Sequence, residues 1–388
     1  MNMQQFLKIT ILQKGGRIMS VVLTIILVMI VLMAGTLFYF SPGKVRPILN
    51  EKGRPVHGSL SEKVFVEING MNQGMFIKSS NADNPVLLYL HGGMPDYFLT
   101  DKYPTGLEEL FTMVWWEQWG SGMSYASDIP QGSVTLEQMV ADTRALTDYL
   151  RRRFNQEKIY LMGHSGGTFI GILTAAQYPE LFHAYIGVAQ MSDQMKSEVL
   201  AYNYMLQEYR KRGDMGMVKK LEAATVSLEK GIPDNYLPLR DPAMHALGIG
   251  TTRDMKSVVT GIFLPSLKCR DYTLREKFNL WMGKSESGIS ILWKEMVATD
   301  LSARVPELQI PVYFMEGKYD YTCSYTEAKS YFEKLKAPLK GFYTFELSAH
   351  SPLFEEPEKF RQIMQQDVLG MDNQLSDFNA ADKGVNSP

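Results

Sequence analysis

Cysteine is nearly absent: Cys269 and Cys323 are the only two in 388 residues. They lie far apart without C-x-x-C spacing, which argues against a disulfide-rich scaffold or a cysteine-built zinc site and leaves one bridge or two free thiols. Histidine is scarce, at six residues, and none falls in an H-E-x-x-H or similar cluster, so no metal and no organic cofactor is implied. An excess of one charge is missing too. The formal net charge of −2 argues against a nucleic-acid partner, which would call for a basic surplus. Internal repeats and low-complexity tracts are lacking, and nothing in the sequence specifies an oligomeric state. What remains, 45% apolar and 21% charged residues, is the composition of a globular chain with an ordinary core. Its length fits one large α/β domain with an insertion, or two ordinary domains.

The N-terminus is the exception to this ordinary composition. Ile18–Phe40 carries no charge and is rich in Val, Ile, Leu and Met. As a helix at about 1.5 Å per residue it would span roughly 34 Å, enough for the ~30 Å hydrocarbon core of a bilayer. A cleaved secretory signal is the alternative, but its apolar region would be shorter and Ala34-Gly35-Thr36 is a poor cleavage site. The reading favoured is a membrane anchor over 18–40 after a short tail, 1–17. Lys8, Lys14 and Arg17 before the span nearly balance Lys44, Arg46, Lys52 and Arg54 after it. A short N-terminal tail usually stays inside, which puts the rest of the chain on the extracytoplasmic side.

Beyond the span, Pro- and Gly-rich residues 41–60 read as a polar linker leading away from the membrane. Lys63–Asn69 and Gly74–Ser79 alternate around Asn69-Gly70-Met71-Asn72-Gln73, a hairpin signature. From Val86 the pattern changes to short, continuously apolar strands separated by helices, with candidates at Val86–Leu90, Met113–Trp116, Ile159–Met162, Tyr185–Ala189, Val312–Met315 and Tyr343–Leu347. Strands buried on both faces imply a mainly parallel sheet flanked by helices. Leu136–Phe154 is the clearest helix, with Thr135 and Gln138 set for a capping box. The α/β rhythm stops between 191 and 305, where helical spacing and Met, Tyr, Lys and Glu dominate. The chain therefore divides into core 61–190, a helical cap 191–305, core 306–370 and a disordered tail, 371–388.

Gly163-His164-Ser165-Gly166-Gly167 lies between the apolar run Lys158–Met162 and a small-residue helix starting at Thr168. This is the setting in which a G-x-S-x-G serine is exposed on a strained strand-to-helix turn. A serine hydroxyl needs a base, and the base an orienting acid, in the chain order Ser, Asp, His for such a sheet. Elimination points to the base. His57 falls in the linker, His183 in a turn, His245 in the cap, His91 in a Gly-rich loop, and His164 points away from its neighbour. His350 follows the last strand candidate. Asp320 follows the preceding strand in Gly317-Lys318-Tyr319-Asp320, ahead of Glu316, which still lies on the strand. Acyl transfer also needs oxyanion donors, expected from the N–H of Gly166 and from the loop His91-Gly92-Gly93-Met94-Pro95. Trp115, Trp116, Tyr97 and Phe98 are pocket candidates, although core burial explains such aromatics equally well.

Three motifs, His91–Pro95, Trp116-Glu117-Gln118-Trp119-Gly120-Ser121-Gly122-Met123-Ser124 and Gly163–Gly167, together resemble the α/β-hydrolase superfamily, nearest its proline iminopeptidase-like branch. There the first motif usually reads H-G-G-P-G and the second D-Q-R-G-x-G-x-S. Here Met94-Pro95, Glu117 and Trp119 depart from them. The resemblance implies Gly93 and Gly166 as oxyanion donors and supports a Ser165–Asp320–His350 triad. It also implies cap acids that hold a substrate amino group, for which Glu295 is the candidate. The expected function is a membrane-anchored serine hydrolase, an aminopeptidase acting on a small molecule or short peptide. A carboxylesterase or lipase-like enzyme is the alternative. A non-catalytic binding protein on this scaffold is a more distant one, and a transporter subunit is remote because the span holds no charge.

Overall fold

The computed structural model describes residues 3–127, 134–284 and 287–378, with side chains from Arg17 onward in the first helix. The strands are β1 Leu60–Ile68, β2 Met71–Ser79, β3 Val86–Leu90, β4 Thr112–Trp116, β5 Ile159–His164, β6 Phe182–Val188, β7 Val312–Gly317 and β8 Lys340–Phe345. They form one eight-stranded sheet in the order β1-β2-β4-β3-β5-β6-β7-β8. β1 and β2 pair antiparallel, β2 runs antiparallel to β4, and every later pairing is parallel. The hairpin closes through Asn69-Gly70, both at positive φ, with Ile68 opposite Met71. That is the twist-matched two-residue turn an Asn-Gly pair favours. The chain has the α/β-hydrolase fold.

The central strands bury both faces, so alternate side chains feed two separate cores. Leu88, Leu90, Val114 and Trp116 belong to one, and Leu87, Tyr89, Met113 and Trp115 to the other. Helices α2 (Leu136–Phe154) and α3 (Gly166–Gln177) pack beside β5 and β3. Between 194 and 304 the described α-helices are α4 Gln194–Lys211, α5 Met215–Glu222, α6 Leu237–Leu247, α7 Leu264–Lys268, α8 Leu274–Met282, α9 Gly288–Ile291, α10 Trp293–Ala298 and α11 Leu301–Arg304. Tyr202, Met205, Tyr209, Val218, Leu221, Tyr236 and Met244 give this region a core of its own. Helices α12 (Tyr325–Lys334), α13 (Pro352–Glu355) and α14 (Pro357–Ile363) complete the chain.

Several expectations need correction. Thr135 accepts from the Gln138 N–H, but the Gln138 side chain turns to Asp142 instead of closing a capping box. The last strand begins three residues before Tyr343 and ends at Phe345, leaving Leu347 73% exposed in the following turn. Residues 371–378 are not a free tail: Ser376 accepts from the Phe342 N–H, the Asp377 N–H donates to Phe342 O, and Phe378 packs on Phe332 and Phe342. An edge strand with unpaired backbone groups offers that partner. The remainder of the expected tail, 379–388, lies outside the described residues.

The linker also differs. Helix α1 (Met3–Tyr39) contains the apolar stretch, unburied by the rest of the chain, but the chain after it does not lead away. Pro42 bridges Thr273, the Gly43 N–H donates to Arg270 O at 3.2 Å, and Arg46 Nε lies 3.0 Å from Asp271. The start of the expected linker is docked on the cap.

Candidate active site

Ser165 joins β5 to α3 with φ 56° and ψ −127°, a region that costs an L-residue free energy and is stored where surroundings enforce it. Enforcement is visible next door. A Cβ on Gly167 would lie 2.1 Å from Leu90 O, and one on Gly92 would lie 2.8 Å from Ser165 Cβ. The strand, the turn and the Gly-rich loop thus approach too closely for any side chain. The Ser165 N–H donates to Val188 O at 3.0 Å, so the turn is also held by β6.

The other predicted residues converge on the same end of the sheet. His350 Nδ1 lies 2.8 Å from Asp320 Oδ2, while Asp320 Oδ1 accepts from the N–H groups of Thr322 at 2.7 Å and Cys323 at 3.1 Å. Burial pushes the Asp320 carboxyl up, but His350 and those two amides outweigh it and hold it below the usual range. Burial also drives the His350 imidazole down, against the pull of Asp320. A carboxylate beside a neutral imidazole is the proton arrangement a general base requires. Ser165 and His350 line one cavity of about 280 Å³. Among the described residues they form no hydrogen bond within 3.5 Å, and Ser165 Oγ sits 4.0 Å from Cys323 Sγ. Such loose geometry is common before substrate tightens a site.

Gly93 faces open space, whereas a Cβ on Gly166 would lie 2.6 Å from the Ile289 side chain. Gly166 is the first residue of α3, and leading helix N–H groups lack an intrahelical acceptor. The loop carrying Gly93 is braced by His91, whose Nε2 accepts from the Gln118 N–H at 3.1 Å and whose Nδ1 donates to Gly92 O at 2.7 Å. That pattern is a neutral tautomer, and burial lowers the His91 pKa to about 4. Glu117, which stands where the resembled motif has Asp, is buried and accepts from the Met123 N–H and from Tyr272 of the cap. Burial raises its pKa to about 8.

Sequence reasoning missed the groups behind His350. His164 Nε2 donates to His350 O at 2.8 Å, and its Nδ1 is 3.3 Å from Asp96 Oδ2. Burial lowers the His164 pKa, but Asp96, the His350 carbonyl and Asp320 together raise it by more. Glu355 Oε1 accepts from the N–H groups of Ala349 at 2.8 Å and Ser351 at 3.3 Å, on either side of His350. Its Oε2 accepts from Arg253 of the cap at 2.6 Å. Burial raises the Glu355 carboxyl to about 7. Asp96 follows the H-G-G-M-P run directly, an adjacency that could have pointed to it. No local pattern marks Glu355.

The cap wall was misjudged. Glu295 is not among the residues lining the cavities at Ser165. It is half-exposed and lies 3.6 Å from Arg304, because it sits on the outer face of α10 while Trp293 and Met296 turn inward. Instead Arg240 and Asp241 of α6 line both the first cavity and a second of about 350 Å³, which also contains Ser165. Arg240 binds buried Glu198 through Nε and Nη2, both at 2.7 Å, and Asp241 through Nη1 at 2.9 Å. Of the aromatic candidates, Phe98 lines the first cavity, and Tyr97, Trp115 and Trp116 belong to the sheet's cores. Cys269 and Cys323 are free, buried thiols. Among the described residues no cluster of three His, Cys, Asp or Glu could hold a metal.

Comparison with known proteins bears on the family and the fold. The family described as serine aminopeptidase, S33, matches residues 87–223. A probable aminopeptidase of Bacillus subtilis, YbaC, is 29% identical over 314 residues, covering 80% of this chain and 97% of that protein. The crystal structure of a proline iminopeptidase from Mycobacterium smegmatis superposes with a TM-score of 0.56 at 15% identity, over 80% of this chain and all of that one. A proline iminopeptidase-related protein of Thermus thermophilus gives 0.51 at 18% identity, over 79% and 98%.

Proposed function

Because the chain belongs to the serine aminopeptidase family of α/β-hydrolases and is a serine hydrolase, we propose that Ser165 is its nucleophile, His350 its base and Asp320 the acid that orients the base. The observation that carries this is the 2.8 Å His350–Asp320 contact on the wall of the cavity that also holds Ser165. Ser165 Oγ adds to the acyl carbon as His350 Nε2 takes its proton. The oxyanion forms against the N–H groups of Gly93 and Gly166. The proton then passes to the departing nitrogen or oxygen, and a water activated by the same imidazole releases the acid. Asp320 supports the transient imidazolium through Nδ1.

The reading extends to an aminopeptidase anchored by α1. Asp241, half-exposed on the wall of both cavities, and Asp96, with Oδ1 unpaired beside the first, supply carboxylate oxygens for a substrate ammonium. Arg240 competes little for a substrate anion, since Glu198 and Asp241 already occupy its donors. The test compares aminoacyl 4-nitroanilides, their N-acetylated forms and short-chain esters. Cleavage of the free-amine anilides with rejection of the blocked ones is expected. Turnover of esters alone would favour the esterase reading, to which the apolar wall of Met191, Leu237, Ile289, Trp293 and Met296 in the second cavity is suited.

A further inference from the structure

The end of α1 is fastened to one part of the cap. The buried Lys277 ammonium donates to Phe40 O and to Leu267 O, joining the helix exit, α7 and α8 at one point. Arg270 stacks over the Tyr39 ring at 4.7 Å. With the Pro42–Thr273 bridge and the Gly43–Arg270 hydrogen bond, these contacts leave little slack between the apolar helix and this face.

The face itself is apolar and open to solvent. Phe278 is 64% exposed and Val259 58%, and Phe263, Leu264 and Met282 are exposed beside them. The two segments meet through Trp281, on which Phe263 packs edge-on at 5.1 Å and whose Nε1 donates to Ser266 Oγ at 3.0 Å, while Phe278 and Met282 lie one turn apart on α8. Contiguous exposed apolar surface of this kind marks an interaction site. Between 256 and 284 the cap carries six basic and two acidic residues, and both acids are engaged, Asp271 by Arg46 and Glu276 by Lys63. Lys277 is buried, but Lys256, Lys268, Arg275 and Lys284 are exposed, and apolar side chains in a segment with exposed cations suit an anionic bilayer surface. The same segment reaches the catalytic cavity, since Val258, Ile262 and Lys284 line it.

We propose that the cap face formed by Val259, Phe263, Leu264, Phe278 and Met282 rests on the bilayer that α1 enters, and that amphiphilic acyl substrates pass through it from the lipid to Ser165. This rests on the reading of α1 as a membrane anchor and of Ser165 as the nucleophile. An apolar tail would remain in the lipid or along Val258 and Ile262 while the scissile carbonyl reaches the serine.

The test uses the full chain in phosphatidylcholine–phosphatidylglycerol vesicles. In Phe278→Trp, the emission added over the parent chain should fall by about half or more when the lipids are brominated in their acyl chains, because the indole lies within the interface. In Phe263→Glu/Phe278→Glu, hydrolysis of 4-nitrophenyl dodecanoate in the vesicles should fall at least about tenfold, with 4-nitrophenyl acetate turnover and fluorophosphonate labelling unchanged. Emission insensitive to bromolipid but quenched by aqueous iodide overturns the inference, as does equal loss on both esters. A face covered by a second copy of the chain gives insensitivity to both quenchers and overturns it too. A chain that does not float with the vesicles removes the anchor and the inference together. A parent chain that resists fluorophosphonate removes the catalytic reading, while the quenching arm still decides the bilayer contact.

Discussion

The loops at the end of the sheet and the helical cap solve different problems with different materials. Around Ser165 the backbone is pinned: glycines allow van der Waals approach, and buried His91 and His164 and partly buried Glu355 each hydrogen-bond a loop carbonyl or amide. Preorganised dipoles are effective because they do not reorganise during reaction. The cap holds its shape with Met- and Tyr-rich packing and a buried Glu198–Arg240 ion pair, with half-exposed Asp241 beside it. On the proposed reading the core loops set what chemistry occurs, and the cap sets what is admitted to it. Glu355 and Glu117 cross the boundary, each holding a cap group against a core loop.

Substitutions on the two sides should separate accordingly. Ser165→Ala should lower kcat/KM on any substrate by on the order of 10⁴-fold or more, with the melting temperature unmoved, because it removes the bond-forming atom. Asp320→Asn should cost roughly 10³- to 10⁴-fold in kcat by misdirecting the imidazole. The unmodified enzyme should lose activity in acid with a midpoint below 6.5, since the His350 pKa is lowered from that value. A midpoint above 6.5 would mean that the imidazolium is favoured and that the electrostatics are misread.

On the cap side, Arg240→Met strands the buried Glu198 charge and should destabilise the fold by about 3–5 kcal/mol, measured by denaturant unfolding. Adding Glu198→Leu should recover most of the loss. At the boundary, Glu355→Gln should lower kcat by about tenfold through a looser His350 loop, leaving KM nearly unchanged. Burial raises the folded-state carboxyl to about 7 from the ordinary 4.5, so its contribution to stability is complete below 4.5 and is lost as pH rises through 7. The variant's melting temperature should consequently fall less than the parent's between roughly pH 5 and 8. Asp241→Asn is the mildest: a rise in KM of about tenfold or less for substrates with a free amine and none for N-blocked ones.

Legibility in the sequence followed the same division. Residues 86–90, 159–162 and 312–315 read as buried strands because both faces demand apolar side chains, and the G-x-S-x-G motif, elimination among six histidines and the strand order put Ser165, Asp320 and His350 as candidates after strand ends. The cap offered only helical period, which does not say which side faces a cavity. Glu295 was chosen by residue type, and Asp241 lay unnoticed beside Arg240 although both face the site. The linker and tail were misread because Pro, Gly and polar residues mark chain without regular structure, not chain without contacts. Pro42, Arg46, Ser376 and Asp377 all have partners distant in sequence.

The central claim is that a single serine on the β5–α3 turn does the covalent chemistry. A fluorophosphonate probe followed by peptide mass mapping tests it most directly. The account predicts one adduct, on Ser165, whose formation is lost in Ser165→Ala and slowed by about 10³-fold or more in His350→Ala. A folded chain that takes up no probe, or that is labelled equally well in Ser165→Ala, would contradict it.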